Sequence, residues 1–330
     1  MSLLEKASRG SGSSTSQAGT SLFSRAMAAH AAVPPGEPSP DEAAKVPEFA
    51  FSDPDALMHR LASLPPYGDS FLAAWCAVSE SIPLSALSLL LPRGEFLVPA
   101  ALNGFPSGTE DGIPMSFAGS SHMGTEALGK EAKALLAPIL GVPLSLSLRA
   151  AAMRPESDFV GLWVYHDPSL DASSEGTRAM IGSILARAGD ALPTSTIAIP
   201  SSDPARVLID ASRKYPYASA FSFDLASAYA LDEARFRGLK ADAVRSAFLA
   251  ACSKILSLGG AAAAYGELSV ACALGSASPI DPDLALFQLR KTLRRILPFL
   301  ASGALPEGRA AGFVPSSELA HRELSAFLSR

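Results

Sequence analysis

Two stretches place residues that could do chemistry at the ends of apolar segments. In "FSFDLASAY" an alternating run of Phe and Ser stops on Asp224. In "AYGEL", residues 264–268, Gly266 and Glu267 stand between the runs "GGAAAA" and "LSVACAL". Such a turn is either the remnant of a nucleotide-handling loop or a plain hairpin between two buried segments. Three further groups invite a function. Met115, Phe117, His122, Trp163 and Tyr165, with His166, could line a small-molecule pocket; for the aromatics, core packing is the competing reading. Arg290, Lys291, Arg294 and Arg295 in "LRKTLRRIL" lie opposite a leucine stripe, as a solvated helix face or a surface for an acidic partner. Near the N-terminus, "SLLEKAS" and "SLFSRAM" share Ser-Leu-apolar-x-basic-Ala. Each begins on a Ser suited to cap a helix, so Leu3, Leu4, Leu22 and Phe23 could fold onto a partner and dock there.

Many chemistries lack their residues. There is no G-x-x-x-x-G-K-S/T phosphate loop and no G-x-S-x-G nucleophile turn. Cys76, Cys252 and Cys272 are far apart in apolar contexts, with no C-x-x-C pair, and read as buried free thiols. Two histidines without a placed carboxylate do not specify a metal site, so neither a metal nor a cofactor is expected.

These residues must be positioned by elements legible in the pattern. The 330 residues are enough for about two domains of roughly 150 residues each. Residues 1–50 are rich in Ser, Gly and Pro and read as a disordered tail. A first domain is expected over 51–196. It begins with a helix over about 53–80, broken at Pro65-Pro66, and a hairpin around Pro92-Arg93-Gly94. A third strand, "IPMSFA", precedes an amphipathic helix in "GTEALGKEAKALLAPIL", with Leu128, Ala132, Leu135, Leu136 and Ile139 on one face. "LSLSLRAAAM" and "FVGLWVYH" form a second hairpin, and a helix in "SEGTRAMIGSILARAGDAL" closes the domain. A second domain is expected over 200–330. It contains a helix in "DPARVLIDASRK", a strand ending at Asp224, and one long helix from "LDEARFRGLK" to "CSKIL". The hairpin at "AYGEL" follows, then a helix with Leu286, Leu289, Leu293, Ile296, Leu297 and Leu300 buried, a short strand "AAGFV" and a terminal helix. The fold class is α+β: two sandwich domains, each a mainly antiparallel sheet packed by helices.

Composition narrows the partners. The hydrophobic fraction is 48%, the charged fraction 18% and the net charge −5. That balance argues against broad nucleic-acid binding, which rests on Lys and Arg. No apolar run reaches the roughly 18–20 residues of a membrane-spanning helix, and no apolar leader is evident. A cytoplasmic protein without membrane insertion is expected. Terminal helices packed in parallel would permit a homodimer.

The order of elements in 53–193 resembles a GAF domain, a small sensory module. The absence of Cys from 107–140 then implies no covalently attached bilin. The second block resembles a GGDEF domain, the diguanylate cyclase fold. On that resemblance Asp224 matches the first metal-binding Asp, and Ala226 stands where a second carboxylate belongs. Ala228 and Tyr229 replace a Phe-Lys pair. Ala264 and Tyr265 replace the two glycines that let a backbone approach a nucleotide, and Gly266 replaces an acidic ligand. Only Glu267 keeps the family's letter, and "SLGGA" replaces the upstream Arg-x-x-Asp inhibitory site. Phosphoryl transfer needs carboxylate-held divalent metal to offset phosphate charge. The resemblance therefore implies a cyclase-like site without catalysis. The expected function is signalling or scaffolding by protein–protein contact. The alternative is a sensor binding a nucleotide or metabolite through its GAF-like domain.

Overall fold

The computed structural model describes residues 53–64, 70–109, 111–117, 126–153, 161–188, 196–231, 238–257, 259–297 and 306–330. The expectations for the tail, for His122, for the Pro65-Pro66 break and for Leu300 lie outside the described residues. The described residues all fall within one compact unit.

The first part is built on a five-stranded antiparallel sheet. Helix α1 (Pro54–Ala62) starts where the Asp53 carboxylate accepts from the Asp55 amide at 3.0 Å, with Pro54 in the first turn. It buries Leu57 and Leu61, one turn apart. Helix α2 (Ser70–Ser81) follows, then strands β1 (Ala86–Arg93) and β2 (Phe96–Asn103) as a hairpin with a bulge between Leu89 and Leu90. Strand β3 is only Ile113–Pro114, followed by a 3-10 turn over Met115–Phe117. The Met115 amide still donates to the Glu95 carbonyl at 3.0 Å, and the chain then enters the 3-10 turn, so the strand is shorter than expected. Helix α3 (Lys130–Leu140) starts later than expected and ends on Gly141 in the left-handed region. Its face is shifted: Leu135 is 46% exposed, and Ala137 and Leu140 are buried. Strands β4 (Arg149–Met153) and β5 (Gly161–His166) complete the sheet in the order β3-β2-β1-β5-β4. Of "LSLSL" the strand takes nothing, and Leu144 is 60% exposed. Two helices close this part, a short unexpected one, α4 (Pro168–Ala172), capped by Asp167, and α5 (Glu175–Ala188).

The second part is a four-stranded antiparallel sheet in the order β7-β8-β6-β9. Its elements are α6 (Pro204–Ser212), β6 (Tyr217–Asp224), α7 (Ala226–Leu231), α8 (Ala241–Leu256), β7 (Gly260–Ala264), β8 (Ser269–Ser276), α9 (Pro282–Ile296), β9 (Glu307–Phe313) and α10 (Ala320–Leu328). The single long helix expected before β7 is not formed. Gly238 has φ +83°, and Leu239 bridges to Ala101 of β2, so α8 starts only at Ala241.

Strand alternation decides which face each side chain joins. Leu87, Leu89 and Leu91 of β1 enter one apolar cluster, and Ala86 and Leu90 enter another under α3. Both faces of β1 are covered, which accounts for the consecutive leucines 89–91, and the buried Ser88 hydroxyl is satisfied by the Ala101 carbonyl at 3.1 Å. In β6, Phe221 and Phe223 face α8, with Phe223 edge-on to Phe248 at 5.3 Å between ring centres. Ala218 and Ala220 face α6 and α10. The largest cluster runs from Leu57 and Trp75 through Trp163 to Phe221, Phe248 and Leu293. Both sheets thus contribute to one continuous core.

Candidate functional site

The end of β6 and the β7–β8 turn lie side by side. Asp224 pairs with Ser269 of β8, and the Leu225 amide donates to the Leu268 carbonyl at 2.8 Å. Asp224 is exposed, and its carboxylate accepts from the Ala226 amide at 2.9 Å, so it starts α7. The turn is held from three directions. Ala264, 2% exposed, pairs with Val270, and its carbonyl accepts from the Ser201 amide at 2.7 Å. The Tyr265 hydroxyl meets the Ser222 hydroxyl at 2.7 Å. Arg245 of α8 donates through one terminal nitrogen to the carbonyls of Gly266 at 3.0 Å and Glu267 at 2.7 Å. Its other terminal nitrogen donates to the Ala198 carbonyl at 2.7 Å.

Arg245 is 2% exposed, and its Nε has no hydrogen-bond partner among the described residues. Burial pushes its pKa below the usual arginine value, opposed chiefly by Asp242 and reinforced by Arg93. Its spacing from Val244, Phe248 and Cys252 places a cation on the buried stripe of α8. That cation was the legible signal of a site here, and reasoning from motifs missed it.

Residues 197–201 and 238–240 stitch this region to the first sheet. The Ile197 amide donates to the Pro92 carbonyl at 2.7 Å, and the Ala198 amide to the Ser246 hydroxyl at 2.9 Å. The Leu102 amide donates to the Gly238 carbonyl at 2.9 Å, and the Lys240 amide to the Ala100 carbonyl at 2.8 Å. A cavity of about 380 Å³ opens at this seam. Arg93, Lys240, Asp242, Arg245 and Glu267 line it; Asp224 does not.

The other sequence candidates are dispersed. Trp163 and Tyr165 are fully buried on the α2 and α5 side, and Trp163 stacks on Trp75 at 5.8 Å with planes 6° apart. The Trp163 Nε1 and the Tyr165 hydroxyl have no hydrogen-bond partner among the described residues. Burial pushes the Tyr165 phenol up, partly opposed by Arg149. Met115 and Phe117 pack on the other cluster, under α3, so they do not meet that pair. The His166 Nδ1 donates to the Ser147 carbonyl at 2.7 Å. On α9 Arg290 is half-buried, one turn from Leu286 and Leu293 and so beside the leucine stripe rather than opposite it as expected, and Arg294 is exposed. Among the described residues no group of three or more His, Cys, Asp or Glu could hold a metal, and no helix is long and apolar enough to cross a membrane.

The fold and this seam define an α+β protein of two helix-packed antiparallel sheets on one core. No protein-family model matches the chain, and no curated protein matches it. Among solved structures, one described as "Crystal Structure of PelD 158-CT from Pseudomonas aeruginosa PAO1" aligns at 15% identity with a TM-score of 0.28. The alignment covers 83% of this chain and 93% of that one. At that TM-score the likeness carries no argument about function.

Proposed function

We propose that this is a non-catalytic regulatory protein that works by contact, with a GAF-like first half, 51–196, and a GGDEF-like second half, 200–330. The supporting observation is the state of the "AYGEL" turn. Where the resemblance would have free glycine backbone against a nucleotide, the turn is committed to its own chain. Ala264 is paired in β7, Tyr265 is bonded to Ser222, and the carbonyls of Gly266 and Glu267 are taken by Arg245. Asp224 caps α7, and Ala226 offers no second carboxylate. Metal-assisted phosphoryl transfer has too few ligands to proceed there.

A protein partner would be met on the Arg290 and Arg294 face of α9 and by a docking arm in residues 1–50. Incubating the purified full chain with GTP and Mg²⁺, then separating nucleotides by chromatography, tests the absence of catalysis. Unchanged GTP is expected; accumulation of cyclic di-GMP refutes the reading. Capture of partners by the full chain and by a chain lacking residues 1–50 tests the arm, and equal capture by both removes it.

A further inference from the structure

The seam cavity has a wall chemistry that contact signalling does not use. Three cations from three elements line it: Arg93 at the end of β1, Lys240 in the crossing and Arg245 in α8. Asp242 and Glu267 also line it, so three cations against two carboxylates leave one positive charge, in a chain of net charge −5. Two of the cations have local partners. Arg93 lies 3.7 Å from Asp242, and the Lys240 ammonium donates to the Ser107 hydroxyl at 2.9 Å.

Arg245 has no close ion pair, and the charges of Asp242 and Glu267 act on it only from a distance. Its terminal nitrogens are spent on three neutral carbonyls, and its Nε is buried without a partner. Buried charges are ordinarily paired, because desolvation without a counter-charge is expensive. Among the described residues no carboxylate oxygen stands within ion-pair distance of Arg245. The cavity beside it is therefore a place where an anion is electrostatically favoured. Val98, Leu102 and Ile139 add an apolar wall. Its volume of about 380 Å³ falls within the range of small-molecule sites, about 300–1,000 Å³.

We propose that this cavity binds a small organic phosphate. The phosphate sits toward Arg93, Lys240 and Arg245, and hydroxyl groups of the ligand donate to Asp242 and Glu267. Charge-assisted hydrogen bonds from Arg and Lys suit phosphate oxygens, and carboxylates suit hydroxyl donors. A ligand so placed touches β1, the Gly238–Lys240 crossing, α8 and the β7–β8 turn together. Binding therefore stabilises the seam between the two sheets and couples ligand to fold.

The test is thermal unfolding and titration calorimetry of the full chain with ribose 5-phosphate, ribose and inorganic phosphate. Ribose 5-phosphate is expected to raise the unfolding midpoint and ribose to leave it unchanged. Inorganic phosphate is expected to compete with the ester. Arg93→Gln and Lys240→Gln should each weaken binding about tenfold, the loss of one charge-assisted hydrogen bond. Glu267→Gln should tighten the binding of inorganic phosphate several-fold, because a like charge is removed and no sugar hydroxyl is involved. A merely structural role for these residues would not give shifts of opposite sign. No binding of either phosphate at millimolar concentration, or affinities that all three variants leave unchanged, overturns the proposal. GTP turnover is read separately, so this failure is distinct from that of the non-catalytic reading.

Discussion

Replacing Gly238 by Ala should loosen the seam without touching either sheet's own ladder. Gly238 has φ +83°, and a Cβ built there would lie 1.6 Å from the Leu102 carbonyl oxygen. Alanine in the left-handed region costs about 1–2 kcal/mol by itself. The contact cannot be relieved by a rotamer, because both atoms are set by backbone, so residues 238–240 must draw back from β2. Withdrawal breaks the Leu102–Gly238 and Lys240–Ala100 hydrogen bonds, each worth about 1 kcal/mol net. Leu239, 2% exposed, then loses part of its burial, which is worth up to about 2 kcal/mol. The expected destabilisation is about 3–5 kcal/mol, a large fraction of a typical stability of about 5–15 kcal/mol. Urea unfolding followed by tryptophan fluorescence reads it, since the chain's two tryptophans, Trp75 and Trp163, stack in the shared core. Gly176→Ala is the control: its Cβ would meet only the Ser174 hydroxyl at 3.8 Å, and alanine in a helix is neutral to stabilising. A Gly238→Ala midpoint equal to that of Gly176→Ala would refute the argument from the crossing.

Further expectations concern individual groups. Arg245→Lys should destabilise the chain by about 2 kcal/mol, because one ammonium cannot span the Ala198 carbonyl and the β7–β8 turn as the planar fork does; urea midpoints equal to wild type would exclude the fork's role. The Arg206 amide, and next the His321 ring, hold the Asp203 carboxyl below the usual carboxylate range. Its contribution is therefore present above the unfolded value of about pH 4 and is lost as pH falls through the lower folded value. Asp203→Asn should lower the unfolding midpoint at neutral pH and converge with wild type in acid; a constant offset across the range would disprove the linkage. Burial, and next the Cys272 thiol, push the Cys252 thiol up well above its ordinary value. Native Cys252 should resist iodoacetamide at pH 8 and react only after denaturation, as read by mass spectrometry; rapid native labelling would contradict that burial.

The sequence alone determined what local chemistry dictates. Alternation marked β6, the apolar run marked β1, and the leucine stripe marked α9, because faces repeat every two residues in a strand and about every 3.6 in a helix. That Ala226 offers no carboxylate, and that Ala264 and Tyr265 are not glycines, was readable one residue at a time, since residue identity does not depend on the fold. Where local signals compete, the reading slipped. "LDEARFRGLKADAVRSAF" carries helix formers on both sides of Gly238, but tertiary pairing of Leu239 with Ala101 outweighs that propensity. Only the tertiary structure decided that both sheets share one core, and that Arg245 joins Ala198, 47 positions earlier, to the turn at Glu267. Those contacts depend on which surfaces meet after the chain has folded. No spacing of residues along the sequence encodes them, so the seam and its cavity become visible only in three dimensions.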